Sequence, residues 1–87
     1  MSQIVDALRS FLLEKPYIHE RFLDAQYVQD GADIEICILA DTLDCNKVIV
    51  NRLHTYLKYY CIDNKITLPK VRVLFIDNNL IQDRYIF

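Results

Sequence analysis

Glycine occurs once in these 87 residues and proline twice. One glycine cannot build a glycine-rich phosphate loop. There is no linker, no low-complexity stretch and no internal repeat, so the chain reads as a single small domain over residues 1–87. Serine is scarce too. Ser2 and Ser10 both lie near the N-terminus, which excludes a Gly-x-Ser-x-Gly nucleophile elbow. The cysteines, Cys37, Cys45 and Cys61, are odd in number and contain no Cys-x-x-Cys. A secreted domain of this size usually carries an even framework, so a reducing, cytoplasmic setting fits best. No run of eighteen apolar residues exists to span a membrane. The opening "MSQIVDALRSFLLEK" does not read as a signal peptide, because Asp6 and Arg9 interrupt its apolar stretch.

What is present suits a packed core: 53% hydrophobic residues against 25% charged. "SQIVDALRSFLLEK" has helical period, with Ile4, Val5, Leu8, Phe11 and Leu12 on one face, and Pro16 ends it. "ERFLDAQYVQ" alternates, with Leu23, Ala25 and Tyr27 on one side. Asp30-Gly31 is a turn signal, and "DIEICILA" alternates again with Ile34, Ile36, Ile38 and Ala40 together. Residues 20–40 therefore read as one hairpin. "TLDCNKVIVNRLHTYLKYYC" returns to helical period through Val48, Ile49, Leu53, Tyr56, Leu57 and Tyr60, with Asp44 as its N-cap. "KVRVLFID" is a strand, and both of its faces are apolar enough for a central position. In "NNLIQDRYIF", Asn79 and Gln82 have the spacing of a capping box, which predicts a short C-terminal helical turn.

The expected fold is α+β, in the order α-β-β-α-β. A three-stranded sheet, a hairpin plus one strand after a crossover helix, is packed by two helices on one face. The last strand is expected parallel to the second through a right-handed crossover. The ending "YIF" is most simply a segment packed on the domain. It also suits a partner contact, or a chain cut from a longer one.

The stretch "ADIEICILADTLDC" holds four carboxylates and two cysteines, so three chemistries need weighing. Zinc wants close ligand pairs, whereas Cys37 and Cys45 are eight apart, Cys61 is sixteen further on, and His19 and His54 are scattered. "DTLDCNK" lacks the glycine and closing glutamate of an EF-hand loop. Neither a metal nor a cofactor is expected. Asp33 and Glu35 read as a polar strand face, and Asp41 and Asp44 as a connection and a cap, none with the burial that acid–base work requires. His54 and Cys61 are two helical turns apart, about 10 Å, too far for a nucleophile and its base. The chain does not read as an enzyme.

Charge gives a stronger signal. Residues 20–44 hold seven acids and Arg21, while residues 47–72 hold six bases and Asp63. No GXXG loop or RNP aromatic pair accompanies the bases, and the net charge is −2, so nucleic acid is not an expected partner. Opposite charges on two halves neutralise one another within a fold or guide docking. Of six tyrosines, Tyr59 lies off the helical stripe, near Arg52 and beside Lys58. Aromatic residues and arginine are enriched where proteins meet. The candidate partner-binding residues are Arg52, Lys58, Tyr59, Arg72, Tyr85 and Phe87.

Leu8 and Leu12, then Pro16 and Ile18, then Ala25, Tyr27 and Val28 form a pattern that continues through residues 34–39, the helix around Leu53 and Leu57, and residues 71–77. This path resembles the C-terminal domain of the enhanced-serine-sensitivity (SseB) family over nearly the whole chain. Family members carry more glycine and proline at the hairpin turn, where this chain has Gly31 alone. The resemblance implies a small accessory module that contacts another protein, and it brings no catalytic residue. The expected function is thus a non-catalytic protein-interaction module, binding a protein partner or itself as a dimer. The alternative is a ligand-sensing regulatory domain with an apolar pocket between sheet and helices.

Overall fold

The computed structural model describes residues 3–16, 18–40 and 46–87. Its elements are α1 (Gln3–Leu13), β1 (Phe22–Tyr27), β2 (Ile34–Leu39), α2 (Asn46–Asp63), β3 (Val71–Asp77) and β4 (Leu80–Ile86). The predicted N-cap Asp44, together with Asp41 and Cys45, lies outside the described residues.

The sheet has four strands, not three, in the order β1-β2-β3-β4. β1 and β2 are antiparallel, β2 and β3 parallel, and β3 and β4 antiparallel. The parallel pair spans α2, as a crossover connection requires. β3 lies inside the sheet, flanked by β2 and β4, as its two apolar faces predict.

The fourth strand replaces the expected C-terminal helical turn. Asn78 and Asn79 have φ of 51° and 65°, and Asp77 pairs with Leu80. Positive φ at both central residues is what a two-residue type I′ hairpin needs, and asparagine tolerates it. The Asn79/Gln82 spacing marks a turn and a strand, not a cap. The β1–β2 turn is looser than Asp30-Gly31 predicts. Val28 donates to the Asp33 carbonyl at 3.0 Å, so four residues separate that pair, with Gly31 at φ 104°.

Alternation sorts each strand. Ile34, Ile36 and Ile38 of β2 and Val71, Val73 and Phe75 of β3 are fully buried. They share one core cluster with Val5, Leu8 and Leu12 of α1 and Ile49, Val50, Leu53, Leu57 and Cys61 of α2. Both helices therefore cover this inner face. Two details of the α2 stripe differ from the periodicity reading: Val48 is exposed, while Val50 is buried. Leu23 is also exposed, because a register shift between Phe22 and Asp24 lifts it out of the alternation.

Helix α2 ends in a Schellman motif. Lys65 has φ 55°, its N–H donates to the Ile62 carbonyl at 3.3 Å, and the Ile66 N–H donates to the Cys61 carbonyl at 2.8 Å. These are the paired bonds that satisfy a helix's last carbonyls, here with lysine in the place glycine usually takes. The chain's end is tied in as well. Phe87 and Val71 exchange backbone bonds of 2.8 and 2.9 Å.

Candidate protein-interaction surface

Directly paired residues of neighbouring strands point to the same side of a sheet. On the side away from the helices this defines three rows. The first is Leu39, Ile76 and Ile81; the second is Asp24, Cys37, Leu74 and Arg84; the third is Gln26, Glu35, Arg72 and Ile86. Leu39 is 41% exposed, Ile81 57% and Ile86 54%. Leu74 is buried yet stands outside the core cluster, flanked by its row. An apolar band thus runs across an uncovered face with charges beside it.

Polar groups on this face are organised by Arg72. Its Nε donates to Glu35 Oε2 at 2.9 Å and its Nη2 to Asp30 Oδ1 at 2.8 Å, with a second, shorter contact to Glu35. Only 14% of the Arg72 side chain is exposed. Hydrogen bonds donated to both carboxylates, Glu35 first, hold the guanidinium's pKa above its ordinary value. Asp33 accepts the Lys70 N–H at 2.9 Å. Part of the acidic–basic partition is therefore neutralised inside the fold, where Arg72 meets Glu35 and Asp30. Cys37 sits 3.8 Å from Glu35; burial and then the negative charge of Glu35 push its thiol pKa up. Burial likewise raises Cys61. Among the described residues, no three metal-ligating side chains come together.

The six sequence-predicted residues do not form one surface. Arg52, Lys58 and Tyr59 are exposed on α2, with Tyr59 63% exposed. Arg72 lies on the opposite side of the molecule, held by its two carboxylates. Tyr85 and Phe87 turn inward: Tyr85 meets Phe75 edge-on at 5.8 Å between ring centroids, and Phe87 stacks on His54 at 4.5 Å. The packed reading of the "YIF" ending is the one observed for these two rings. Sequence reasoning did not single out Leu39, Leu74, Ile76, Ile81 or Arg84. The signal was present in "VRVLFID", whose second face is too apolar for a solvated one.

A second feature is an open groove between α1 and α2, of about 490 Å³. Stacked Phe11 and Tyr56, 4.3 Å apart, line it together with Val48, Lys15 and Arg52. Burial raises the Tyr56 phenol's pKa. The groove lies between the helices, not between sheet and helices.

No helix among the described residues is long and apolar enough to cross a membrane. No family model, curated protein or solved structure matches the chain.

Proposed function

We propose that this protein is a non-catalytic protein-interaction module that docks through the open face of its sheet. The observation that carries this reading is the uncovered apolar band of Leu39, Ile76 and Ile81, continued by Leu74. A two-layer fold buries one face of its sheet and normally clothes the other in polar side chains. Here an apolar band crosses that face beside charged rows, as befits a surface that meets another protein. The resemblance to the SseB C-terminal domain implies the same kind of role without assigning residues.

Photo-crosslinking in cells tests the reading. A photoreactive residue at position 81 or 39 is expected to trap protein, while one at exposed Tyr59 traps none. Crosslinks from position 59 alone would move the docking surface to α2.

The groove between the helices supports a second reading, ligand sensing. Its aromatic floor, with Lys15 4.6 Å over the Phe11 ring and Arg52 at the side, suits an apolar molecule bearing an acid group. Thermal-shift measurements with aromatic carboxylates test it: a stabilisation lost in Phe11→Ala supports the reading, and no shift with any of them removes it.

A further inference from the structure

We infer that the occupant of the open sheet face is a second copy of this chain, stacked sheet against sheet about a two-fold axis along the strands, between β2 and β3. This rests on the reading of that face as the docking surface. The order of side chains within each row sets this orientation. In the middle row Asp24 stands at the β1 end, Cys37 and Leu74 in the centre, and Arg84 at the β4 end. Rotation about that axis carries β1 over β4 and β2 over β3 while keeping each row over itself. Asp24 then faces the partner's Arg84 and Arg84 the partner's Asp24, with Cys37 and Leu74 against each other between them. In the next row Glu35 and Arg72, already paired within each copy, lie over their counterparts, and Gln26 faces the partner's Ile86. In the apolar row Leu39 meets the partner's Ile76. A two-fold axis across the strands would instead oppose Asp24 to Asp24 and Arg84 to Arg84. The face is thus complementary to itself in one orientation, which is what an isologous interface requires.

The two outer charges of the middle row, Asp24 and Arg84, are accessible. Arg84 is exposed, and its side chain makes no ion pair among the described residues. The Asp24 side chain is 55% exposed and stands 3.6 Å from Arg9, leaving room for a second cation. Edge-to-edge pairing is blunted at both ends of the sheet. Arg9 donates to the Ala25 carbonyl of β1 at 2.6 Å, and β4 carries a register shift and Asp83 opposite inward-facing Phe75. Guanidinium caps, bulges and inward-pointing charges are the usual means of protecting an edge. The stacking matches the aligned packing of β-sandwich sheets, about 10 Å apart. Four strands span roughly 19 Å and six residues roughly 20 Å, about 400 Å² of face per copy, so the contact falls below the standard size of stable interfaces, where weak encounters lie. A weak dimer, forming at micromolar or higher concentration and loosened by salt, is expected.

Sedimentation of the full chain over a concentration series tests this with a charge swap. Arg84→Glu and Asp24→Arg should each weaken the dimer at least about tenfold by opposing like charges, and the double variant should restore most of it. Asp24 and Arg84 lie on opposite edges of one chain, so the restoration reports contact between copies. Ile81→Lys should also disperse the dimer, with circular dichroism confirming the fold. Should Asp24→Arg fail to fold beside Arg9, the two exposed β4 variants, Arg84→Glu and Ile81→Lys, still decide: a dimer that survives either one overturns the inference. A chain that stays monomeric to millimolar concentration overturns self-association alone. A dimer broken by Ile81→Lys but not restored by the swap overturns this orientation and keeps the face. A dimer indifferent to all the variants overturns the face as well.

Discussion

Lys65 holds a left-handed conformation at the end of α2, where a Cβ is unfavourable. Glycine takes that place without strain. Lys65→Gly is therefore expected to stabilise the protein by up to about 1 kcal/mol, read as a higher urea midpoint at unchanged slope. The two described thiols bear on pH. Cys37 and Cys61 both titrate above the ordinary 9.0 in the folded state. The native chain then holds protons that the unfolded chain has released, so stability is intact below pH 9.0 and falls as pH rises through the folded values. Tyr56 adds to the loss above 10.0. Denaturation midpoints across this alkaline range should decline, and Cys37→Ala should flatten the decline. Neither the lysine cap nor the raised thiols were legible in the sequence. Lysine carries no turn signal, and a thiol's environment depends on which strand comes to lie beside it.

At the scale of elements, the helices and three of the strands were readable because apolar period dominates in α1, β2, α2 and β3 and residues alternate in β1. β4 was not, because "LIQDRYI" has no clean alternation. Its register shifts between Phe75 and Ile76, and Asp83 sits on the inner side. The decisive cue was the Asn78-Asn79 pair, which reads as an asparagine-rich I′ turn once a strand is allowed after it. Asn79→Gly should tighten this hairpin and raise the thermal midpoint, because glycine adopts positive φ freely. The cross-strand ion pair gives another test. Arg72→Met alone leaves Glu35, 16% exposed, without its partner and should lower the thermal midpoint. Glu35→Leu together with Arg72→Met should recover most of that loss, and a cycle of the four proteins measures the coupling.

Over the whole molecule, the final residues close the sheet against its interior strand. Tyr85 and Phe87 pack beside the core, and Phe87 completes the backbone pairing with Val71. Deleting residues 85–87 should cost roughly 2–4 kcal/mol, a large share of the 5–15 kcal/mol typical of a domain. Chemical denaturation reads this directly, and an unchanged midpoint would contradict the packing. The charge partition was legible as a pattern, while its consequence was not. Pairing β2 with β3 spends Arg72 on Glu35 and Asp30, and so removes one predicted contact residue from the solvated surface. The band on the open face became visible only when the register set Leu39 beside Ile76 and Ile81.

The parallel partnership of β2 and β3 joins residues 37 positions apart, as in Glu35 and Arg72. During synthesis at about 5–20 residues per second, β2 waits several seconds for its neighbour. In that interval "IEICIL" stands with one backbone edge unpaired and its isoleucines uncovered, a segment rich in β-formers that is prone to associate with other nascent chains. The β3–β4 hairpin, closed by a two-residue turn, forms within about 1–10 μs of its own emergence and arrives ready-made to end that exposure. What remains is closure of the long α2 connection, and a shorter connection would lower its entropic cost only slightly, since that cost changes slowly with length.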